Sequence, residues 1–210
     1  FHTGLSSRLF DAAYKFIGHL PGGLAIAAVG ACSLFSAICG STNATAATMA
    51  ATTLPEMKRY NYDAALSVGT IAAGGTMGIL IPPSLGFILI GILTELSIGK
   101  LFIAGIIPGI LEVIFYLCAI YIMCQINPKM GPPLPKTSMK KKIISLKYTW
   151  PVLGLFLLII GGIYGGVFTP TEAGGIGAFG ALIVSIIRGQ LTRRSLLECL
   201  LEGVKMSAMI

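Results

Sequence analysis

Two short segments of this chain combine residue types that hold ions. Gly40-Ser41-Thr42-Asn43 offers hydroxyl and amide oxygens on a flexible turn, and Ala73-Gly74-Gly75-Thr76-Met77-Gly78 offers the carbonyls of a glycine-loosened helix. Just beyond the second, Ile81-Pro82-Pro83-Ser84 lacks two backbone N–H donors, so a continuous helical ladder cannot run through it. Neutral oxygens of this kind suit a hard cation. The N-termini of interrupted helices carry positive dipole ends that suit an anionic group. Gly40, Ser41, Thr42, Asn43, Gly75, Thr76 and Gly78 are therefore the candidate Na+ ligands, and Asn43, Pro82, Pro83 and Ser84 the candidate path of an anionic substrate. Small residues are also ordinary close-packing devices in membrane helices, and that reading stands beside the functional one for either motif alone. Glu112 is a third candidate. It interrupts the apolar stretch from Leu101 to Asn127, where a charged side chain costs ~2.5 kcal/mol or more at mid-bilayer; proton coupling and pairing within the bundle are its two readings.

Other chemistry finds little support. Cys32, Cys39, Cys118, Cys124 and Cys199 all lie in apolar stretches without CxxC spacing, and His2 and His19 are far from any co-ligand, so no transition-metal site is expected. Thr45, Ser84 and Ser185 lack the His and Asp neighbours of a nucleophile. No nucleophile elbow, paired carboxylates, HExxH or phosphate-binding glycine loop is present, so the chain does not read as an enzyme.

The elements that must position the candidates are membrane elements. Of 210 residues 55% are hydrophobic and only 11% charged, against about 25% charged in soluble domains. The stretches 16–55, 64–94 and 148–171 contain no Asp, Glu, Lys or Arg, and roughly 20 apolar residues cross the hydrocarbon core. An amphipathic opening, residues 1–19, is expected at the membrane surface. Residues 20–56 read as a re-entrant helical hairpin, with arms at Leu24–Cys39 and Ala44–Thr53 and its tip at Gly40–Asn43. The second arm is too short and too rich in Thr to face lipid. Residues 64–127 read as two half-helices with an unwound middle, then a full span. Residues 128–147 form a hydrophilic basic loop between structural units, 148–188 two membrane segments, and 189–210 an unfinished element. The fold class is all-α, in transmembrane helices with a re-entrant hairpin and a broken helix.

The net charge of +7 raises the question of nucleic acid, but the basic residues lie between apolar runs rather than on one solvated face. They report topology instead. With the hairpin entering and leaving by one side, all basic residues except Lys100 fall on a single face, as the positive-inside rule requires of the cytoplasmic side. Two full crossings would give the same parity as the hairpin. Only the polarity and shortness of the second arm separate them.

Six motifs in colinear order carry a resemblance: Pro21-Gly22-Gly23-Leu24-Ala25-Ile26-Ala27, Gly40-Ser41-Thr42-Asn43-Ala44-Thr45-Ala46-Ala47, Leu54-Pro55-Glu56-Met57-Lys58-Arg59, Gly78-Ile79-Leu80-Ile81-Pro82-Pro83-Ser84, Ser97 to Phe102 with Ala104 to Gly109, and Phe168-Thr169-Pro170-Thr171-Glu172-Ala173. Together they resemble the large membrane subunit of TRAP transporters, the tripartite ATP-independent periplasmic family. The resemblance implies one repeat of an inverted-repeat, elevator-type secondary transporter in a bacterial or archaeal inner membrane, driven by a Na+ gradient. A periplasmic binding protein would deliver an organic acid, such as a C4-dicarboxylate or a sialic-acid-like carboxylate, and a small membrane subunit would brace the large one. It also implies an internal fragment, with preceding helices and a second repeat elsewhere, that does not transport alone. Thr42 and Asn43 stand where the family often has small Ser-like residues, which leaves backbone ligation as what the resemblance carries over at the tip. An ion-coupled anion transporter without a binding protein is the neighbouring reading; a channel or a structural scaffold is the reading from another class.

Overall fold

In a computed structural model of the chain, residues 5–135, 138–187, 189 and 192–208 are described. The outer ends of the first and last expected segments, with His2, Lys136 and Arg188, lie outside them. Every regular element among the described residues is an α-helix: α1 Leu5–Ile17, α2 Gly23–Cys39, α3 Thr42–Arg59, α4 Ala64–Leu80, α5 Leu85–Thr94, α6 Ile98–Ile126, α7 Met139–Tyr164, α8 Pro170–Ile187 and α9 Arg193–Ala208. Among the described residues, three apolar stretches are long enough to cross a membrane, namely α4 with α5 as one run of 31 residues, α6 and α8.

α2 lies at the centre. Its side chains are apolar and mostly small, and Leu24, Ala25, Ala27, Ala28, Val29, Ala31 and Cys32 are buried around nearly the whole circumference, as expected of a helix with no polar face. It packs against α1, α3, α4 and α6. α3 forms the other arm of the hairpin and also lies along α4. The Thr content that marks α3 as unfit for lipid is accommodated by burial. Thr45, Thr48, Met49, Thr53 and Met57 face inward, and the hydroxyls of Thr52 and Thr53 donate to the carbonyls of Thr48 and Met49, each at 2.8 Å. A back-bonded hydroxyl leaves no unmet donor in an apolar setting. α6 is the opposite case: Ile107, Phe115 and Ile126 are exposed, and so apolar a surface needs lipid or further protein against it.

Three boundaries differ from expectation. α3 does not stop near Thr53 but continues through Pro55 to Arg59; the proline removes one ladder bond, and the packing of the helix on both sides holds it together. The expected loop 128–147 ends at Ser138, and α7 starts at Met139. The lysines marked a hydrophilic segment, but lysine is a good helix former, and hydrophilicity locates the membrane exit rather than the end of a helix. The Lys142 ammonium sits 5.5 Å from the centroid of the Phe16 ring, joining the first turns of α7 to α1. Finally, the part of that loop before Ser138 is no free linker. Gly22 N–H donates to Gly131 O at 2.9 Å, Asp63 N–H to Met130 O at 2.9 Å, and Leu134 N–H to Gly18 O at 2.9 Å. It is a strap across the base of the hairpin and α4.

Tyr62 locks the strap. Its hydroxyl accepts from Leu24 N–H at 3.1 Å and donates to Pro132 O at 3.2 Å, and burial pushes its pKa up to about 12. The phenol is an acid whose folded-state pKa is raised above its usual value near 10. Its stabilising contribution is therefore complete below pH ~10 and lost as pH rises from there toward 12. Tyr62→Phe, which leaves Leu24 N–H and Pro132 O without partners, should lower stability by about 1–3 kcal/mol. It should also flatten the alkaline limb of the stability curve, both read by thermal unfolding of the detergent-solubilised full-length protein between pH 7 and 11.

Candidate functional site

The hairpin turn and the helix break come together. Gly40 ends α2 in the left-handed conformation, with φ +63°, which glycine adopts without strain. Its N–H donates to Ser36 O at 2.8 Å, and its carbonyl accepts from Leu85 N–H at 3.2 Å. The turn of the hairpin is thus bonded to the first residue of α5. Ser41 caps α3, its hydroxyl accepting from Ala44 N–H at 3.5 Å. On the facing side, a Cβ at Gly78 would stand 2.6 Å from the Ser41 carbonyl carbon and from Thr42 N. One at Gly75 would stand 2.8 Å from the Ala46 methyl. Only glycine lets the two backbones approach this closely. Below them the Ser36 and Thr45 hydroxyls lie 3.4 Å apart, fully buried, tying the two arms together.

The break is more local than expected. α4 runs without interruption through Gly74, Gly75 and Gly78 to Leu80, although each glycine costs ~1 kcal/mol relative to alanine in a helix. Burial against α2 and α3 outweighs that cost: at Gly74 a Cβ would stand 2.7 Å from Cys32 Sγ. The expected unwound carbonyls of Gly74 to Met77 are consequently part of the helical ladder. The prolines decide which carbonyls are released. Gly78 and Ile79 would bond to the N–H groups of residues 82 and 83, and Pro82 and Pro83 have none. Ser84 then re-engages Ile79, donating its hydroxyl to that carbonyl. Ser84 is 1% exposed: its hydroxyl closes the break, while the residue still borders the cleft beside the start of α5. Gly78 C=O, opposite Pro82, is left without a ladder partner, as is Leu80 C=O at the end of the helix.

Of the sequence-derived candidates, Gly40, Ser41, Thr42, Gly75, Gly78 and Pro83 meet at this contact, while the Asn43 side chain stands exposed on the first turn of α3. Thr76 does not join them. It lies on another face of α4, where its hydroxyl stands 2.9 Å from Glu112 Oε1 and 3.2 Å from the Tyr116 hydroxyl, both on α6. A residue between two glycines in sequence is turned about 100° from each neighbour on a helix, which the run of small residues does not disclose. Tyr116, the partner that sequence reading passed over, lies one turn beyond Glu112 on the same helix. That spacing is the signal that could have found it.

Two helix C-termini, α2 and α4, and two helix N-termini, α3 and α5, therefore converge. The last turns of the first pair present carbonyls without intrahelical donors, and the first turns of the second pair present N–H groups without acceptors. Such a junction can take a cation on its carbonyl side and an anion on its amide side. The N-terminus of α5 also borders a cleft of about 380 Å³, which Gly40, Pro83 and Leu85 share with Ile159 of α7 and Pro170 and Ala173 of α8. Across the cleft, Thr169 and Glu172 form a reciprocal cap that opens α8: the Thr169 N–H and hydroxyl both reach Glu172 Oε2, at 2.7 and 2.9 Å.

The geometry makes Gly78 the residue least able to change. Gly78→Ala should force the turn off α4 and lower the melting temperature of the full-length protein by several degrees. Gly30→Ala, where a Cβ meets nothing within 4 Å, should not lower it. Equal effects of the two would show that the close approach does not hold the turn.

Comparison with known proteins places the whole chain, residues 1–210, within the family model described as the tripartite ATP-independent periplasmic transporter, DctM component. It is 41% identical to the C4-dicarboxylate TRAP transporter large permease protein DctM of Pseudomonas aeruginosa, over 99% of this chain and 48% of that protein. It is 40% identical to the ectoine TRAP transporter large permease protein TeaC of Halomonas elongata, over 80% of this chain and 39% of that one. It is 37% identical to the 2,3-diketo-L-gulonate TRAP transporter large permease protein YiaN of Escherichia coli, over 99% and 48%. The chain spans about half the length, or less, of the curated relatives it matches.

Proposed function

The chain belongs to the DctM-component family of tripartite ATP-independent periplasmic transporters, and from that premise we propose that it supplies one cation-binding repeat of a Na+-coupled importer of organic acids. The observation that carries this reading is the convergence of four helix ends at Gly40–Thr42 and Gly78–Leu85. Na+ would be held by the carbonyls that end α2 and α4, Gly78 C=O foremost, with the Ser41, Thr42 and Asn43 segment completing the shell. Thr76 has no part in that shell. The carboxylate of the substrate would lie toward the N-termini of α3 and α5, where the unpaired amides and the dipoles favour negative charge, in the cleft lined by Pro83 and α8.

On this reading the α2–α3 hairpin is re-entrant: it enters and leaves by the cytoplasmic face of the inner membrane and holds its tip at mid-depth. The strap across its base keeps α2, α4 and the start of α7 in register at that face. The hairpin and the α4–α5 break move as one body in an elevator cycle, since they are joined by a backbone bond and by glycine contacts with no slack. The relatives bear names for C4-dicarboxylates, ectoine and 2,3-diketo-L-gulonate, which supports an organic acid as the class of cargo and does not choose among its members. A periplasmic binding protein would deliver the cargo, and a small membrane subunit would support the apolar outer surfaces. The rest of the permease would complete the pocket.

Uptake by the full-length permease with its partners in proteoliposomes should be lost when Na+ is replaced by choline; uptake indifferent to the cation would refute the coupling. Gly75→Val, which drives a branched side chain into Ala46, and Asn43→Leu, which removes an amide from the tip, should each reduce uptake by at least 10-fold while membrane insertion persists. Normal uptake in both would refute the site.

A further inference from the structure

Glu112 lies at the centre of α6, with 14 residues of the helix on either side, Ile98 to Leu111 and Val113 to Ile126, or about 21 Å to each end. No Lys, Arg, His or second carboxylate occurs on α2, α4 or α5, the helices packed against α6; α2 offers only the thiols of Cys32 and Cys39, and α4 and α5 carry no titratable side chain. Nothing in these helices balances a charge on Glu112. What faces it is an oxygen cluster centred on the Thr76 hydroxyl. That oxygen lies 2.6 Å from Ala73 O, 2.9 Å from Glu112 Oε1 and 3.2 Å from the Tyr116 hydroxyl. The other carboxyl oxygen, Oε2, is buried and has no partner.

Counting hydrogens bears on what this cluster contains. Three oxygen–oxygen contacts at hydrogen-bond distance each have a hydrogen of their own only when three are present; with two, one hydrogen is shared between two acceptors in a weaker three-centre bond. Thr76 and Tyr116 own one each, and a backbone carbonyl owns none. If Tyr116 donates to Thr76 and Thr76 donates to Ala73 O, the contact with Glu112 Oε1 has no hydrogen; if Thr76 donates to Glu112, the contact with Ala73 is bare instead. One hydrogen on Oε1 completes the set: Glu112 donates to Thr76, Tyr116 donates to its remaining lone pair, and Thr76 donates to Ala73. A metal ion fits less well. Oxygens at ~2.4 Å around a cation, a distance calcium takes, stand about 3.4 Å apart in an octahedron, and two of these three pairs are closer than 3 Å.

We propose that Glu112 is a proton-binding site at mid-membrane, occupied as the neutral carboxylic acid, and that its proton fastens α6 to α4 beside the cation site. The inference does not depend on Na+ coupling, because it concerns the face of α4 turned away from the hairpin tip. It accounts for two otherwise costly features, a carboxyl group in an apolar span and an oxygen cluster short of hydrogens. The Oε2 atom is then the carbonyl of a neutral acid, which tolerates isolation far better than a carboxylate does.

The test is infrared difference spectroscopy of the full-length permease in lipid bilayers at pH 7. Glu112→Gln should remove a protonated-carboxyl C=O band that is present in the wild type; loss from the carboxylate bands instead would overturn the proposal. Thr76→Val should move that band to higher frequency as the acid loses its acceptor, and an unmoved band would overturn the pairing even where Glu112→Gln fails to express. The band should be the same in Na+-free and Na+-saturated buffer; its conversion to carboxylate on adding Na+ would make the cluster a cation site. Glu112→Gln, whose amide can donate to Thr76, should melt measurably higher than Glu112→Leu, and equal melting would show that no donated hydrogen bond joins α4 to α6.

Discussion

The approach of the Gly40–Thr42 turn to the backbone of α4 at Gly75 and Gly78 is the constraint from which the rest of the arrangement follows. Two chain segments can come this close only where no Cβ intervenes, and the contact brings the ends of four helices to one point. Each helix end leaves polar groups that an apolar environment cannot satisfy. Bringing two C-termini and two N-termini together concentrates unmet carbonyls and unmet amides in a shared volume instead of scattering them through the bilayer. Some of that demand is met internally, by the Leu85–Gly40 bond and by Ser84 on Ile79. What is left over, at Gly78 C=O and in the first turns of α3 and α5, is what the proposed site would offer to a cation and an anion.

The same economy of polar groups runs through the packed helices. The Thr hydroxyls of α3 return to carbonyls one turn back, Ser36 and Thr45 pair across the hairpin, and Tyr62 serves both the first turn of α2 and the strap. Glu112 follows the rule in a different way, by entering a cluster whose geometry has room for one more hydrogen. α4 therefore has two working faces, a glycine face toward the hairpin and the Thr76 face toward α6.

Much of this was legible in the chain, for reasons tied to particular residues. Pro82 and Pro83 lack N–H groups wherever they stand, so the position of the break was readable. Gly40 before Ser41 signals a helix end followed by a cap, and the turn of the hairpin is where those residues put it. The extent of the break was overestimated, because Gly74 to Gly78 look like weak helix and are instead held helical by α2 and α3. The basic segment before Tyr148 differs for a related reason: Lys140 to Lys142 mark a hydrophilic stretch, and helix α7 runs through it from Met139. Residues 128–135 looked like a tether, since nothing in their own composition shows that Met130, Gly131 and Pro132 offer carbonyls to Asp63, Gly22 and Tyr62.

The sequence by itself determined what is intrinsic to each residue: an all-helical membrane chain, the two interruptions, and the scarcity of charge in the apolar runs. Backbone donors missing at proline, Cβ atoms missing at glycine and the apolar length of each run are local properties, unaffected by what lies nearby. Tertiary structure decided which surfaces meet. It turned Thr76 away from the tip and toward Glu112, held Gly74 to Gly78 helical, and made the linker a strap. Thr76 and Glu112 are 36 residues apart in the chain and Tyr62 and Pro132 are 70 apart, and only packing brings such partners together.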